Sequence, residues 1–258
     1  MNTEKYSDLQ VREIFHLEFL RRFARKAKAE SYAVKGGANF RFFFNSIRYS
    51  EDMDIDLKGI RVDTIKNVVM KIFESADFRN TLKSYGVDDI VSPNISHAKQ
   101  TETTQRFKVH LITFSGEDLF TKVEFSRRGF CGKAVVEDVA DNVLRAYKMT
   151  PLVISHYDES SAAVQKIDAL ASRAAVQARD VFDLYIIHPR LDANKLSIDS
   201  SKIKKALENL FEISFERFMD TVVSYLELGD QALYATSARW DEIKLRVASF
   251  LEEIKGSR

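Results

Sequence analysis

The chain has 258 residues, 45% hydrophobic and 30% charged, with 39 Lys and Arg against 38 Asp and Glu and a formal net charge of +1. That length and balance exclude a disordered or collagen-like chain and describe a globular protein able to bury a core without disulfide or metal staples. Near-neutrality also argues against a broad nucleic-acid-coating surface, so any polyanion must meet a local patch.

The opening MNTEKYSDLQVREIF carries acids and no apolar run, so neither a signal peptide nor a membrane partner is expected. Leu9, Ile14, Phe15, Leu17, Phe19, Leu20 and Phe23 recur at helical spacing, which predicts a helix over residues 8–30. Its basic end, Arg21, Arg22, Arg25, Lys26 and Lys28, suits a helix C-terminus; a phosphate-backbone contact is the alternative. A short extended stretch, Ser31 to Lys35, then meets Gly36-Gly37 and a helix beginning in ANFRFFFNSI. Asp52 to Leu57 alternates acid and apolar residues with period two, the pattern of a half-buried strand with an acidic face.

Residues 62–85 read as one or two helices, and RFKVHLITF and LFTKVEFS as two strands joined through SGED. The lone cysteine, Cys131, excludes an intrachain disulfide and a thiolate zinc site and suits a reducing, cytoplasmic setting. From about 133 the pattern is helical: 136–148, 158–187, 200–228 and 230–255. The expected organisation is a mixed-sheet α/β (α+β) unit over residues 1–132 followed by an all-helical unit over 133–258. The stripe Leu207, Leu210, Phe211, Phe215 and Phe218 reads as helical core, and Trp240 as a packing residue.

Asp52 and Asp54 project from one face of their strand, with backbones about 6.5 Å apart, close enough to share bound cations; the alternative is an ordinary acidic surface. Gly36 and Gly37 open a helix whose free N–H groups can hold a phosphate, or form a plain turn. Arg48 and Ser50, four and two residues before Asp52, add a cation and a hydroxyl. Lys166, Arg173 and Asp180 are seven apart and would share one stripe of an unbroken helix, with Asp183 a turn later. His16, His97, His110, His156 and His188 show no metal-ligand or nucleophile-partner spacing, and none is assigned to catalysis.

The stretch KGGANFRFFFNSIRYSEDMDIDL resembles the nucleotidyltransferases of the DNA polymerase β-like superfamily, in particular the AbiEii toxin group that includes the MenT toxins. That group shows Gly-Gly followed at some distance by R-x-S-x-D-[IL]-D-[LF], and Arg48, Ser50, Asp52 and Asp54 match it position by position. Downstream, AVQKIDALASRAAVQARDVFDLYII is similar to the group's Lys followed by R-D-x-x-D-L, matched by Lys166, Arg179, Asp180, Asp183 and Leu184. Two departures stand out: Ala38 occupies a position commonly Thr or Ser, with Asn39 a partial substitute, and Asp56 adds a third acid to the strand.

The resemblance implies a polymerase β-like core and a Mg²⁺-dependent transfer of NMP from a nucleoside triphosphate, with two metal ions. Asp52 and Asp54 would hold metal, and Gly36, Gly37, Arg48, Ser50 and Lys166 would position the triphosphate. One or both of Asp180 and Asp183 would be required. A third carboxylate is expected on a neighbouring strand; Glu124, facing the same way as Lys122 and Ser126, either completes the metal site, takes the acceptor's proton, or is a cross-strand ion-pair partner. The resemblance further implies a toxin of a toxin-antitoxin or phage-defence system, with a cognate antitoxin and the tRNA 3′ end as acceptor. Arg127, Arg128 and the N-terminal basic run would then flank an acceptor stem. A small-molecule (antibiotic-type) nucleotidyltransferase and a non-catalytic nucleotide-binding module are the alternatives.

Overall fold

The computed structural model describes residues 6–92 and 100–256; His97 lies outside them. The chain forms two compact units, one of the residues up to Asn39 with Tyr49–Tyr157, the other of Phe40–Arg48 with Asp158–Arg258. The division therefore falls after Tyr157, not at 132/133, and a nine-residue segment near the N-terminus joins the helical unit.

In the first unit, α1 (Asp8–Phe23) opens on a capping box: the Ser7 hydroxyl accepts from the Gln10 N–H while the Gln10 side chain accepts from the Ser7 N–H. Ile14, Phe15, Leu17, Phe19, Leu20 and Phe23 are fully buried, as their spacing requires. The helix stops at Phe23 rather than 30. Arg21 donates to the Thr150 and Pro151 carbonyls, and Arg22 pairs with Glu18 and Asp77, so both serve packing within the unit.

Among the described residues seven strands form one mixed sheet: β1 (Tyr32–Lys35), β2 (Asp52–Leu57), β3 (Val87–Val91), β4 (Thr104–Thr113), β5 (Asp118–Ser126), β6 (Ala134–Asp138) and β7 (Val153–Tyr157), ordered β3-β4-β5-β2-β1-β7-β6. β2 runs parallel to β5 and antiparallel to β1, while β7 runs parallel to β1. The β4–β5 hairpin forms as its alternation predicts, with Phe107 opposite Val123 and Arg106 opposite Glu124. Helices α3 (Val62–Phe73) and α4 (Ala76–Lys83) pack with α1, where Phe15, Phe19, Phe73 and Phe78 lie with ring centroids 5.6–5.9 Å apart in the pairs 19–73, 15–73 and 15–78. Burial of each such ring contributes about 1.5–3 kcal/mol.

The expected helix over 136–148 is corrected. Residues 134–138 are the edge strand β6, and only α5 (Asp141–Ala146) is helical there. The sequence AVVED suits a strand that pairs on one side, with β7.

The second unit holds α6 (Glu159–Ser172), α7 (Ala178–Ile187), α8 (Ser200–Phe211), α9 (Phe215–Thr221), α10 (Leu228–Tyr234) and α11 (Ser237–Gly256), and the C-terminal half of α2 (Gly36–Phe43). Phe40 and Phe44 belong to its apolar core with Leu184, Phe218 and Trp240. Trp240 stacks on Phe218 at 4.4 Å and its Nε1 donates to the Ile213 carbonyl. Leu210 and Phe218 are buried as expected, but Phe211, at the end of α8, faces outward at 54% exposure.

The single helix expected over 158–187 is two. Arg173 caps α6 with extended backbone, ψ 135°, and the chain resumes helix at Ala178. On one unbroken helix Lys166 and Asp180 would stand about 21 Å apart. The break folds α7 back, and their side chains meet at 2.9 Å.

Candidate active site

The acidic face of β2 is shaped by the strands on either side of it. Register sets Asp52 against Lys122 and Asp54 against Glu124 on β5, while Lys35 on β1 lies against Asp54. Lys122 Nζ reaches Asp52 Oδ2 at 2.6 Å, Lys35 Nζ reaches Asp56 Oδ1 at 2.5 Å, and Arg106 on β4 reaches Glu124 Oε2 at 2.7 Å. Asp56 also accepts from the Tyr157 hydroxyl at 2.7 Å and is 2% exposed. Its role is to tie β2 to β1 and β7; both its oxygens are taken by the protein.

Asp54 is left without an ion pair among the described residues. Burial raises its pKa above the ordinary carboxylate value, the attraction of Lys35 and Lys122 offsets part of that, and the nearby charges of Glu124 and Asp52 push it further up. Asp52 Oδ1 is shielded from solvent and has no hydrogen-bond partner. Among the described residues no three of His, Cys, Asp and Glu converge as metal ligands. A hard cation needs fewer: Mg²⁺ is commonly held by one or two carboxylates, with water and substrate phosphate completing its shell. The unpartnered Asp52 Oδ1 beside Asp54 fits that donor set.

Gly36 opens α2 with φ +66°, and a Cβ added there would lie 3.1 Å from Asp54 Oδ2. The glycine is thus required twice, by its backbone and by the carboxylate it lets approach. Gly36→Ala is expected to cost about 1–2 kcal/mol and to lower transfer activity by displacing Asp54; a thermal melt beside an activity assay checks both. Gly37 follows within the helix. Ser50 donates its hydroxyl proton to the Asp52 carbonyl at 2.7 Å, fixing the entry to β2. Asn39 does not substitute for the hydroxyl absent at Ala38. Its amide nitrogen donates to the Tyr157 carbonyl and its oxygen meets His156 Nδ1, both in the interior.

The remaining sequence-derived residues gather in the second unit. Asp183, fully buried, accepts from Arg48 Nη2 on both oxygens, at 2.9 and 3.0 Å, and its Oδ2 lies 2.6 Å from Lys166 Nζ. Lys166 also donates to Asp180 Oδ1 and sits 5.4 Å from the Phe40 ring centroid. Arg173 Nη1 lies 3.2 Å from Asp180 Oδ2, an ion pair not aligned as a hydrogen bond. Burial alone would raise the Asp183 pKa, but the charges and hydrogen bonds of Arg48 and Lys166 outweigh it and hold the carboxyl below its ordinary value. Arg173, Lys166 and Asp180 therefore do associate, across the α6–α7 break instead of along a stripe.

A family model described as the nucleotidyl transferase AbiEii toxin of type IV toxin-antitoxin systems matches residues 18–254. The chain belongs to the AbiEii family. This AbiEii protein is a nucleotidyltransferase, and the family carries with it a nucleoside triphosphate substrate and an antitoxin partner. Among solved structures it is similar to the nucleotidyltransferase toxin MenT4 of Mycobacterium tuberculosis H37Rv, at 14% identity and TM-score 0.62, covering 97% of this chain and 87% of that one. It is also similar to JHP933 of Helicobacter pylori, at 16% identity and TM-score 0.56, covering 98% and 97%. At these identities the likeness establishes the fold. No match is found among curated proteins.

Sequence reasoning singled out the acids of β2 but not the cations on them. Lys122 was legible as a face neighbour of Glu124, and Lys35 as the residue before Gly36. Nothing local marked Tyr157 as the partner of Asp56. Arg127 is engaged locally, its Nε donating to the Ile60 carbonyl and its Nη2 to Gln105. Among the described residues no helix is long and apolar enough to cross a membrane.

Proposed function

We propose that this AbiEii protein transfers a nucleoside monophosphate to the 3′-terminal hydroxyl of tRNA, with Mg²⁺ held at Asp52 and Asp54, as the cytoplasmic toxin of a toxin-antitoxin or phage-defence system. The observation that carries the reading is the paired acid face of β2, with an Asp52 oxygen and an Asp54 carboxylate that have, respectively, no hydrogen-bond partner and no ion pair among the described residues. When bound, the cation neutralises phosphate oxygens and the charge that develops on the leaving group.

In the reaction proposed, the acceptor oxygen attacks the α-phosphorus in line, a new P–O ester bond forms, and the α–β bond breaks to release pyrophosphate. The acceptor's proton passes to Glu124, which keeps 24% of its side-chain exposure and can hand it to water. Gly36 and Gly37 leave room for phosphate close to the backbone, and Ser50 fixes the strand that carries the acids. Lys166 is proposed as a cation that transfer requires. Arg48, bound to Asp183, serves by holding that carboxylate and through it Lys166. Arg48, Lys166 and Arg173 together outnumber Asp180 and Asp183 by one positive charge, which suits an anionic substrate.

The test is label transfer. Purified protein, Mg²⁺, each α-labelled nucleoside triphosphate in turn and total cellular RNA are compared with Asp52→Ala and Lys166→Met. Label on tRNA-sized RNA that falls at least about 10²-fold in both variants supports the reading. Label that appears only on small molecules moves the acceptor to that class, and nucleotide binding without pyrophosphate release overturns catalysis.

A further inference from the structure

The acid face holds four carboxylates, Asp52, Asp54, Asp56 and Glu124, and three of them already have a cation within 2.7 Å. Two of those pairings are dictated by register and not by chance rotamers. Asp52, Lys122 and Lys108 stand in one row across β2, β5 and β4, and Asp54, Glu124 and Arg106 stand in the next. Lys122 and Asp52 are both partly buried, with side-chain exposures of 25% and 22%, so their attraction is screened less than that of a surface pair. Glu124 is turned to Arg106, and no third carboxylate converges with Asp52 and Asp54 among the described residues.

We infer that Lys122 supplies, as a fixed ammonium on Asp52 Oδ2, the positive charge that a second metal ion would bring, so that this site takes a single divalent cation between Asp54 and Asp52 Oδ1. The inference rests on the reading of Asp52 and Asp54 as the cation site. An ammonium at 2.6 Å and a Mg²⁺, which demands oxygen at about 2.0–2.1 Å in octahedral array, compete for the same Asp52 oxygen. Arg106 removes Glu124 from the ligands a second ion would need. Lys122 is thus a positioning and charge-setting residue on β5, two positions before Glu124 on the same face.

The test counts ions directly, with Mn²⁺ alone as the probe and its free resonance in electron paramagnetic spectra as the readout. Wild type is expected to bind one Mn²⁺ per chain, and Lys122→Arg the same. Lys122→Met is expected to gain a second ion or to hold the first about tenfold tighter, the order of effect of one removed neighbouring charge. Two ions on the wild type, or a Lys122→Met variant with unchanged count and affinity, overturns the inference; the wild-type count stands even if Lys122→Met fails to fold. Asp54→Asn should lose the bound Mn²⁺. If it does not, the ion counted lies elsewhere, and it is the cation-site reading itself that falls.

Discussion

Asp54→Asn is expected to reduce nucleotidyl transfer by at least about 10³-fold, roughly 4 kcal/mol of transition-state stabilisation, while raising the melting temperature near neutral pH. The two effects share one cause. The Asp54 carboxyl is desolvated, the attraction of Lys35 and Lys122 offsets only part of that, and the charges of Glu124 and Asp52 add to it, so its pKa in the folded protein lies above the ordinary value. The native state therefore holds the proton to higher pH than the unfolded chain does. Stability from this group is complete below the unfolded pKa and is lost as pH rises through the folded one. At neutral pH the wild type lacks it, whereas asparagine has no charge to desolvate. Melts from pH 4 to 8 should show the variant's advantage over wild type opening as pH rises. A variant less stable than wild type at pH 7 would contradict the desolvation argument.

Asp183→Ala is expected to cost about 3–5 kcal/mol, the largest single loss among the site residues. Asp183 binds Arg48 through both oxygens and Lys166 through one, and all three side chains are buried in the helical unit. Removing it takes from two buried cations the carboxylate they share, while Asp180 stays on Lys166. Because the penalty comes from stranded charge, adding Arg48→Met to Asp183→Ala should recover part of the loss, a non-additive result that a double-mutant cycle measures. The sign with pH is opposite to that of Asp54. The Asp183 pKa is depressed, so its contribution is present above the unfolded carboxylate value, about 3.9, and is lost as pH falls through the folded one. Asp183→Asn should accordingly flatten the acid side of the stability curve.

Much of the site could be read from the chain because its information is local. Asp52-Met53-Asp54-Ile55 announces strand and face together, Gly36-Gly37 announces the helix start, and the β4–β5 hairpin follows from alternation on both arms. The failures have a different physics. VISHY is five residues with four of them buried, and so short a buried run carries no period to separate strand from helix; its place between β1 and β6 is set by the sheet. VDDIV, with two adjacent acids in five residues, has no alternation to mark a strand, yet β3 forms as an edge against β4. Residues 173–177, RAAVQ, contain no Gly or Pro, so local propensity favours continuing the helix, and packing of α6 and α7 overrides it. Ironically for the seven-residue spacing of Lys166, Arg173 and Asp180, the stripe it implied was absent while the association it implied was present.

Phe40–Arg48 belongs to the helical unit although it lies between stretches of the sheet unit, and this bears on the order of synthesis. When the ribosome has made the sheet through Tyr157, Phe40, Phe44 and Arg48 are already in the chain, but Leu184, Phe218 and Asp183, which they join, are not. The nascent chain must carry two apolar rings, and a guanidinium without its Asp183 carboxylate, until the last hundred or so residues emerge. A fragment ended at Tyr157 would stay in that condition, and no single cut in the chain yields both units whole.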